Sequence, residues 1–312
     1  MILAREKAKV VAIVAALACA QCGRGGGAST PTSPSNPLPP GQTAPPVPTS
    51  GPEIFVGAGD IGWCNSPAPE QTARLLDGIG GKIFAAGDLA YPSGSADDFR
   101  KCYDPAWGRH IFRTYPVPGN HEYQAPGATP FYDYFAANGT VPYGLGYYSY
   151  QVGDWHVVAL NSNWDAVPVV SGSAQAQWLR ADLTMHPSKC TLAYWHHALF
   201  TSGPDGEQTA MRDIWRILYD ANADVIVNAH DHLYERFAPQ DPDGRSDSAR
   251  GIREFLAGTG GAVLYQPVKR SVNSEAIISQ YGVLKFTLQA GSYQWEFIPV
   301  SGPGDAGTGS CH

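Results

Sequence analysis

The sequence predicts a layered α/β or α+β domain, with sheets covered by helices on their outer faces. Three observations lead there. Short runs of β-formers alternate with helical segments through the first part of the chain. Strands then dominate toward the C-terminus, which suggests sheets packed in layers. Finally, acidic, amide and histidine residues stand directly after the strand runs, where α/β folds gather polar ligands.

The first strand runs from Glu53 to Ala58 and ends at Gly59-Asp60. A helix follows over Pro69–Ile79, opening on proline as helices often do. A second buried strand, Lys82–Ala86, leads into Gly87-Asp88, and Tyr115-Pro-Val-Pro leads into Gly119-Asn120-His121-Glu122. Tyr147–Val152 and Trp155–Leu160 form a hairpin about Gly153-Asp154. An amphipathic helix over Ala174–Met185 precedes a strand over Cys190–Trp195, and a helix over Glu207–Asn222 precedes a strand over Asp224–Ala229. Strands near Ile252–Leu256, Gly282–Leu288 and Tyr293–Ile298 complete the chain, with no internal repeat.

Residues 1–22 read as an export signal. Arg5, Lys7 and Lys9 precede an uncharged run of eleven residues, Val10–Ala20. That run is far short of the ~20 residues a membrane span needs. Ala16-Leu17-Ala18 before Cys19 resembles a lipoprotein signal, so a lipid anchor on Cys19 and plain cleavage near Ala18 or Ala20 both fit. Residues 23–52 read as a linker: Gly25–Pro52 carries no charge and nine prolines fall between Pro31 and Pro52. Such a stretch cannot bury enough apolar surface to fold. The remaining residues, 53–312, are a common size for one folded domain. Hydrophobic content of 43% supplies a core, and a net charge of −7 offers no basic footprint for nucleic acid.

Four cysteines lie in the folded region, an even number that predicts two disulfides in an exported protein. Three pairings are possible. Cys64–Cys102 is favoured because both follow early motif loops, and Cys190–Cys311 because it would tie down the C-terminal tail.

Five segments carry metal-ligand chemistry: Gly59-Asp60-Ile61-Gly62, Gly87-Asp88-Leu89-Ala90-Tyr91, Gly119-Asn120-His121-Glu122, Tyr194-Trp195-His196-His197 and Ala229-His230-Asp231-His232. Carboxylates, imidazoles and a phenol together suit Fe, Zn or Mn rather than a soft metal. The glycines permit sharp exits and close backbone approach. Singly, each segment is weak, since Gly-Asp after a strand is usually a turn. Together and in this order they are specific.

The set resembles the calcineurin-like metallophosphoesterase superfamily and, within it, the purple acid phosphatases, whose motifs read G-D-x-G, G-D-x-x-Y, G-N-H-D/E, V-x-x-H and G-H-x-H. The first three are met in full; Ala193 stands for the usual valine in the fourth, and Ala229 for glycine in the fifth. The resemblance implies a four-layer αββα sandwich holding two metal ions. Asp60, Asp88, Tyr91 and His232 would hold Fe(III), and Asp88, Asn120, His196 and His230 would hold Zn, Fe or Mn. His121 would face a small-molecule phosphate ester as the catalytic residue. The implied activity is hydrolysis of phosphate monoesters outside the cytoplasm. A phosphodiesterase or nucleotidase, or a binding protein with a relict site, are the alternatives. Asp205 stands where animal and plant members carry a further substrate-facing histidine. His197 could substitute only if it escapes the alternation that turns strand neighbours to opposite faces. His110, His156, His186 and His312 lie outside the motifs.

Overall fold

A computed structural model describes residues 51–139 and 141–312. The predicted signal and all but the last two residues of the predicted linker lie outside them. β1 (Glu53–Ala58), α1 (Ala68–Asp77), β2 (Lys82–Ala86), a short α2 (Ala96–Asp98), β3 (Thr114–Val117) and α3 (Thr129–Phe135) come first. The hairpin β4 (Tyr148–Val152) and β5 (Trp155–Ala159) follows, then α4 (Ala174–Met185), β6 (Cys190–His197), α5 (Arg212–Asp220) and β7 (Val225–Ala229). Six further strands are β8 (Tyr234–Phe237), β9 (Arg253–Ala257), β10 (Ser274–Ile278), β11 (Gly282–Gln289), β12 (Ser292–Pro299) and β13 (Asp305–Ser310).

Two sheets result, in the orders β13-β12-β11-β1-β2-β3 and β10-β8-β9-β7-β6-β5-β4. Within the first, β1, β2 and β3 are parallel, with Phe55 opposite Lys82 and Ile83 opposite Thr114. Within the second, β5, β6, β7 and β9 are parallel. Each parallel run points its carboxyl ends at one rim, which is where the site lies.

Strand alternation sorts the core into layers. On β2, Phe84 and Ala86 join Phe55, Tyr194, Val227, Phe255 and Phe286 between the sheets. Ile83 and Ala85 face the other way, under Ala73 and Leu76 of α1 and Phe131 and Phe135 of α3. On the second sheet Trp195 and Ile226 pack under Leu179 of α4 and Ile214, Trp215 and Leu218 of α5. Each fully buried Val, Leu, Ile or Phe among them contributes about 1.5–3 kcal/mol. The layers are therefore helix, sheet, sheet, helix, as the resemblance implies.

Both favoured disulfides are present: Cys64–Cys102 and Cys190–Cys311, with Cα separations of 4.7 and 5.4 Å. The second closes 121 residues of chain, worth roughly 4–5 kcal/mol on the chain-entropy account. No helix among the described residues is long and apolar enough to cross a membrane.

α5 is shorter than the predicted Glu207–Asn222. Gln208 gives its backbone N–H to Ala198 and its side-chain amide to the carbonyls of Asp205 and Gly206, so this stretch is tied into the preceding loop. β13 is absent from the sequence reading because Asp305-Ala-Gly-Thr-Gly-Ser reads as a loop. The glycines are required there: a Cβ on Gly307 or Gly309 would collide with the rings of Trp295 and Tyr293 on β12.

One buried group loads the second sheet. Glu254 on β9 is wholly buried, with Gln240 Nε2 donating to Oε2 at 3.4 Å. Burial pushes its carboxyl well above the ordinary carboxylate range. An acid with a raised folded pKa costs stability above its unfolded value, so the cost sets in as pH rises past about 4.5. Glu254→Gln keeps the shape without the ionisation. Its melting temperature is expected to gain on wild type as pH rises from 5 to 8, by about 2–4 °C per kcal/mol. A gain that is the same at both pH values would show that Glu254 carries no such penalty.

Candidate metal centre

The site is assembled across the two sheets. Asp60, Asp88 and Asn120 leave the ends of β1, β2 and β3, whereas His196 lies on β6 and His230 and His232 just follow β7. Asp60, Asp88 and His230 have φ of 56°, 52° and 72°, in the left-handed region. Such residues cost about 1–3 kcal/mol each and persist where the surroundings over-determine them. The motif glycines admit the neighbouring ligands: a Cβ on Gly87 would meet the His196 ring at 2.6 Å, and one on Gly119 would collide with the Asp88 carboxylate. A Cβ on Gly59 would lie 2.5 Å from that of Ala229, so the alanine in the fifth motif fills space that Gly59 leaves open.

Two groups of donor atoms face inward and share one carboxylate. In the first, Tyr91 Oη donates to Asp60 Oδ1 at 2.8 Å and lies 3.2 Å from both Asp88 Oδ2 and His232 Nε2. His232 Nε2 is 3.3 Å from Asp60 Oδ1. In the second, His196 Nε2 lies 3.1 Å from Asn120 Oδ1, 3.2 Å from His230 Nδ1 and 3.3 Å from Asp88 Oδ2. Asp60 and Asp88 are buried to 0% and 1% exposure.

The donor set fits metal ions. Ligands held at ~2.0–2.2 Å from one ion stand roughly 3 Å apart at right angles, which is the spacing found. Hydrogen bonds behind the ring nitrogens fix which atom points in. His196 Nδ1 donates to the Ala86 carbonyl at 2.9 Å and His232 Nδ1 to that of Val263 at 2.7 Å, leaving each Nε2 inward. His196 Nε2 would then face two oxygens and the His230 ring nitrogen, a set of donors that a bound cation would draw together.

Electrostatics say the same. Burial would raise both carboxyls, yet His232 holds Asp60 below the ordinary range and His196 holds Asp88 far below it. His196, against its burial, is pushed up to about 10 by Asp88 and Asp60. The pocket is short of positive charge. Burial, with the charge of His196, pushes His230 down to about 4, keeping it in the neutral, ligating form. Burial above all raises the Tyr91 hydroxyl well above its ordinary value, so a phenolate there requires a cation.

His121 flanks this centre without joining it. Its ring packs on Tyr91 at 4.4 Å, its Nδ1 faces the Pro92 carbonyl and its Nε2 lies 3.7 Å from Asp88 Oδ2. Asp205 gives its backbone N–H to Asp231 Oδ1 at 3.0 Å, and partial desolvation of its carboxyl, with the charge of Asp231, raises it above the ordinary carboxylate range. His197 departs from strand alternation. The pairing of β6 with β7 shifts register between Tyr194 and His197, and the His197 ring lies 4.6 Å from that of His230.

Sequence reasoning assigned no role to Glu122 beyond its place in a motif. Its buried carboxylate accepts four backbone N–H bonds, from Asp88 (2.9 Å), Leu89 (2.8 Å), Ala90 (3.2 Å) and Gly119 (2.8 Å). It thereby holds the Asp88 loop against the Asn120 loop. Asn163 and Trp164, after β5, were also missed. The polar run Asn161-Ser162-Asn163 after a buried strand was the available signal.

A profile of the family described as calcineurin-like phosphoesterase matches residues 49–234. Purple acid phosphatase 21 of Arabidopsis thaliana is 31% identical over 216 residues, 62% of this chain and 46% of that protein. Purple acid phosphatase 22 of the same plant is 28% identical over 219 residues, 61% and 46%. The chain thus spans about half the length of the curated relatives it matches. The structure of purple acid phosphatase PPD1 from yellow lupin (Lupinus luteus) seeds superposes with a TM-score of 0.64 at 17% identity, covering 85% of this chain and 55% of that one. With more than half of its length matched by the family profile, the chain belongs to the calcineurin-like phosphoesterase family.

Proposed function

We propose that this chain hydrolyses phosphate monoesters at a two-metal centre of the purple acid phosphatase kind, and scavenges phosphate outside the cytoplasm. The observation that carries the reading is the pair of inward donor sets meeting at Asp88. Asp60, Asp88, Tyr91 and His232 would hold Fe(III), and Asp88, Asn120, His196 and His230 would hold Zn, Fe or Mn. Bound there, the ions would neutralise phosphate oxygens and lower the pKa of the attacking water. The catalytic unit is residues 53–312, behind an export signal at 1–22 and a linker at 23–52, with Cys19 open to lipidation. The charged n-region, its apolar run and the two disulfides support export.

The chain's own residues do the positioning. Asp88 spans both donor sets, Glu122 fixes the backbone beneath it, and the second-sheet histidines are aimed by the carbonyls of Ala86 and Val263. The His121 Nδ1 bond to Pro92 leaves Nε2 on the side of the centre, where it can hold a proton for the departing alkoxide.

Protein purified without chelator should carry two metal ions per chain and turn over p-nitrophenyl phosphate faster than bis-p-nitrophenyl phosphate. The reverse preference would make it a phosphodiesterase, and absence of both metal and turnover a binding protein with a relict site. His121→Ala should keep both metals and lose ~10²-fold in rate; lost metal would make His121 a ligand. Iron-loaded protein should absorb in the visible through a phenolate-to-iron charge-transfer band that Tyr91→Phe abolishes. A colourless oxidised wild type with iron at the Asp60 site would remove Tyr91 from the ligand set.

A further inference from the structure

We propose that the cavity beside Asn120 and His197 is the subsite for the ester's leaving group, and that it selects a planar, uncharged ring over a phosphorylated group. This rests on the phosphomonoesterase reading and adds the class of substrate to it.

The cavity has a volume of about 510 Å3, within the ~300–1,000 Å3 of small-molecule sites. It adjoins the centre directly. Asn120, one of its lining residues, has its Oδ1 3.1 Å from His196 Nε2, and the ring of His197, another, lies 4.6 Å from that of His230. A phosphate at the centre would therefore send its ester oxygen either into this cavity or out to solvent.

Its lining favours rings. Trp164 is half-buried, with its ring 5.0 Å from His197 at 58°, and Tyr123 contributes a second aromatic wall. The Tyr123 hydroxyl is fixed by the Asn161 side-chain amide at 2.8 Å. Rigid aromatic faces favour a planar ligand beyond what its area burial alone supplies. Two polar groups supply orientation. Asn163 Nδ2 is committed to the Pro118 carbonyl (3.1 Å) and Asn161 Oδ1 (2.9 Å), which leaves its own carbonyl oxygen as an acceptor. The Ser162 hydroxyl accepts from the His197 backbone N–H at 3.1 Å and faces Nδ1 at 2.8 Å. That contact engages Nδ1 and leaves Nε2 as the second polar atom of the His197 ring.

The charge of the lining excludes a second phosphate. Among the described residues no lysine or arginine lines the cavity, and the one carboxylate there, Asp165, is exposed. A leaving group carrying its own phosphates would find no cationic partner there and one like charge, whereas phosphate recognition ordinarily relies on Arg or Lys.

The test uses the full, metal-loaded chain and four substrates: phenyl phosphate, glycerol phosphate, AMP and ATP. Adenosine leaves from AMP as a neutral ring, while ADP leaves from ATP as an anion. Wild type is expected to prefer phenyl over glycerol phosphate and AMP over ATP, each by tenfold or more in kcat/KM. Trp164→Ala should collapse the phenyl-to-glycerol ratio toward one, and Trp164→Phe should keep most of it. Asp165→Lys, at an exposed position where folding is not at risk, should raise ATP relative to AMP by about fivefold. Glycerol phosphate turnover with both ratios unmoved by Trp164→Ala and Asp165→Lys would overturn the subsite while leaving the phosphomonoesterase standing. Failure of wild type on all four substrates would overturn the activity, and the subsite with it.

Discussion

Asp88→Asn is expected to leave less than a tenth of wild-type turnover and to lower metal content at both positions together. Asp88 Oδ2 lies 3.2 Å from Tyr91 Oη and 3.3 Å from His196 Nε2, so it touches both donor sets. The amide keeps the shape, so the backbone N–H of His121 can still reach it as it reaches Asp88 Oδ1 at 2.8 Å. The charge is lost, and with it the pull that raises His196. Metal analysis and p-nitrophenyl phosphate kinetics on the same preparation decide the matter. A tenfold loss corresponds to only ~1.4 kcal/mol of barrier. A variant that retains more than a tenth, or loses one ion and keeps the other, would show that Asp88 does not bridge.

Glu122→Gln should destabilise the fold nearly as much as a core truncation, although it changes no volume. Oε1 accepts from Leu89 and Ala90, and Oε2 from Asp88 and Gly119. However the amide turns, its NH2 group faces two buried N–H donors. Each donor left without an acceptor costs about 1–3 kcal/mol, so the loss is roughly 2–6 kcal/mol, or on the order of 5–20 °C in melting temperature. The Asp88 loop should loosen with it, and metal occupancy should fall even where the protein still folds. A melting temperature within two or three degrees of wild type would show that the four bonds are worth little and that other contacts set the loop.

The site was legible because its chemistry is local. Most candidate ligands stand at or just beyond a strand end, and Gly59, Gly87 and Gly119 directly precede Asp60, Asp88 and Asn120. What stayed hidden depends on partners far along the chain. Glu122 is understood only when the 88–90 loop is seen against it. His197 reaches the cavity through a register shift that no alternation rule anticipates. β8, β10 and β13 are short or glycine-bearing, and their pairing with β9, β8 and β12 was not read from them. The disulfides fall on the legible side: both the even count and the favoured pairings, Cys64–Cys102 and Cys190–Cys311, stand in the fold.

The first sheet has a further consequence, for the order of events in folding. β1 pairs with β2 on one side and with β11 on the other, Glu53 standing opposite Leu288. The segment that ends in Asp60 thus has an open hydrogen-bonding edge until the last quarter of the chain arrives. Contacts so distant in sequence raise contact order and slow the search. The second sheet, contributed by contiguous chain from β4 to β10, meets no such delay. The carboxylate half of the candidate centre therefore depends on a pairing far longer in sequence than any the histidine half requires.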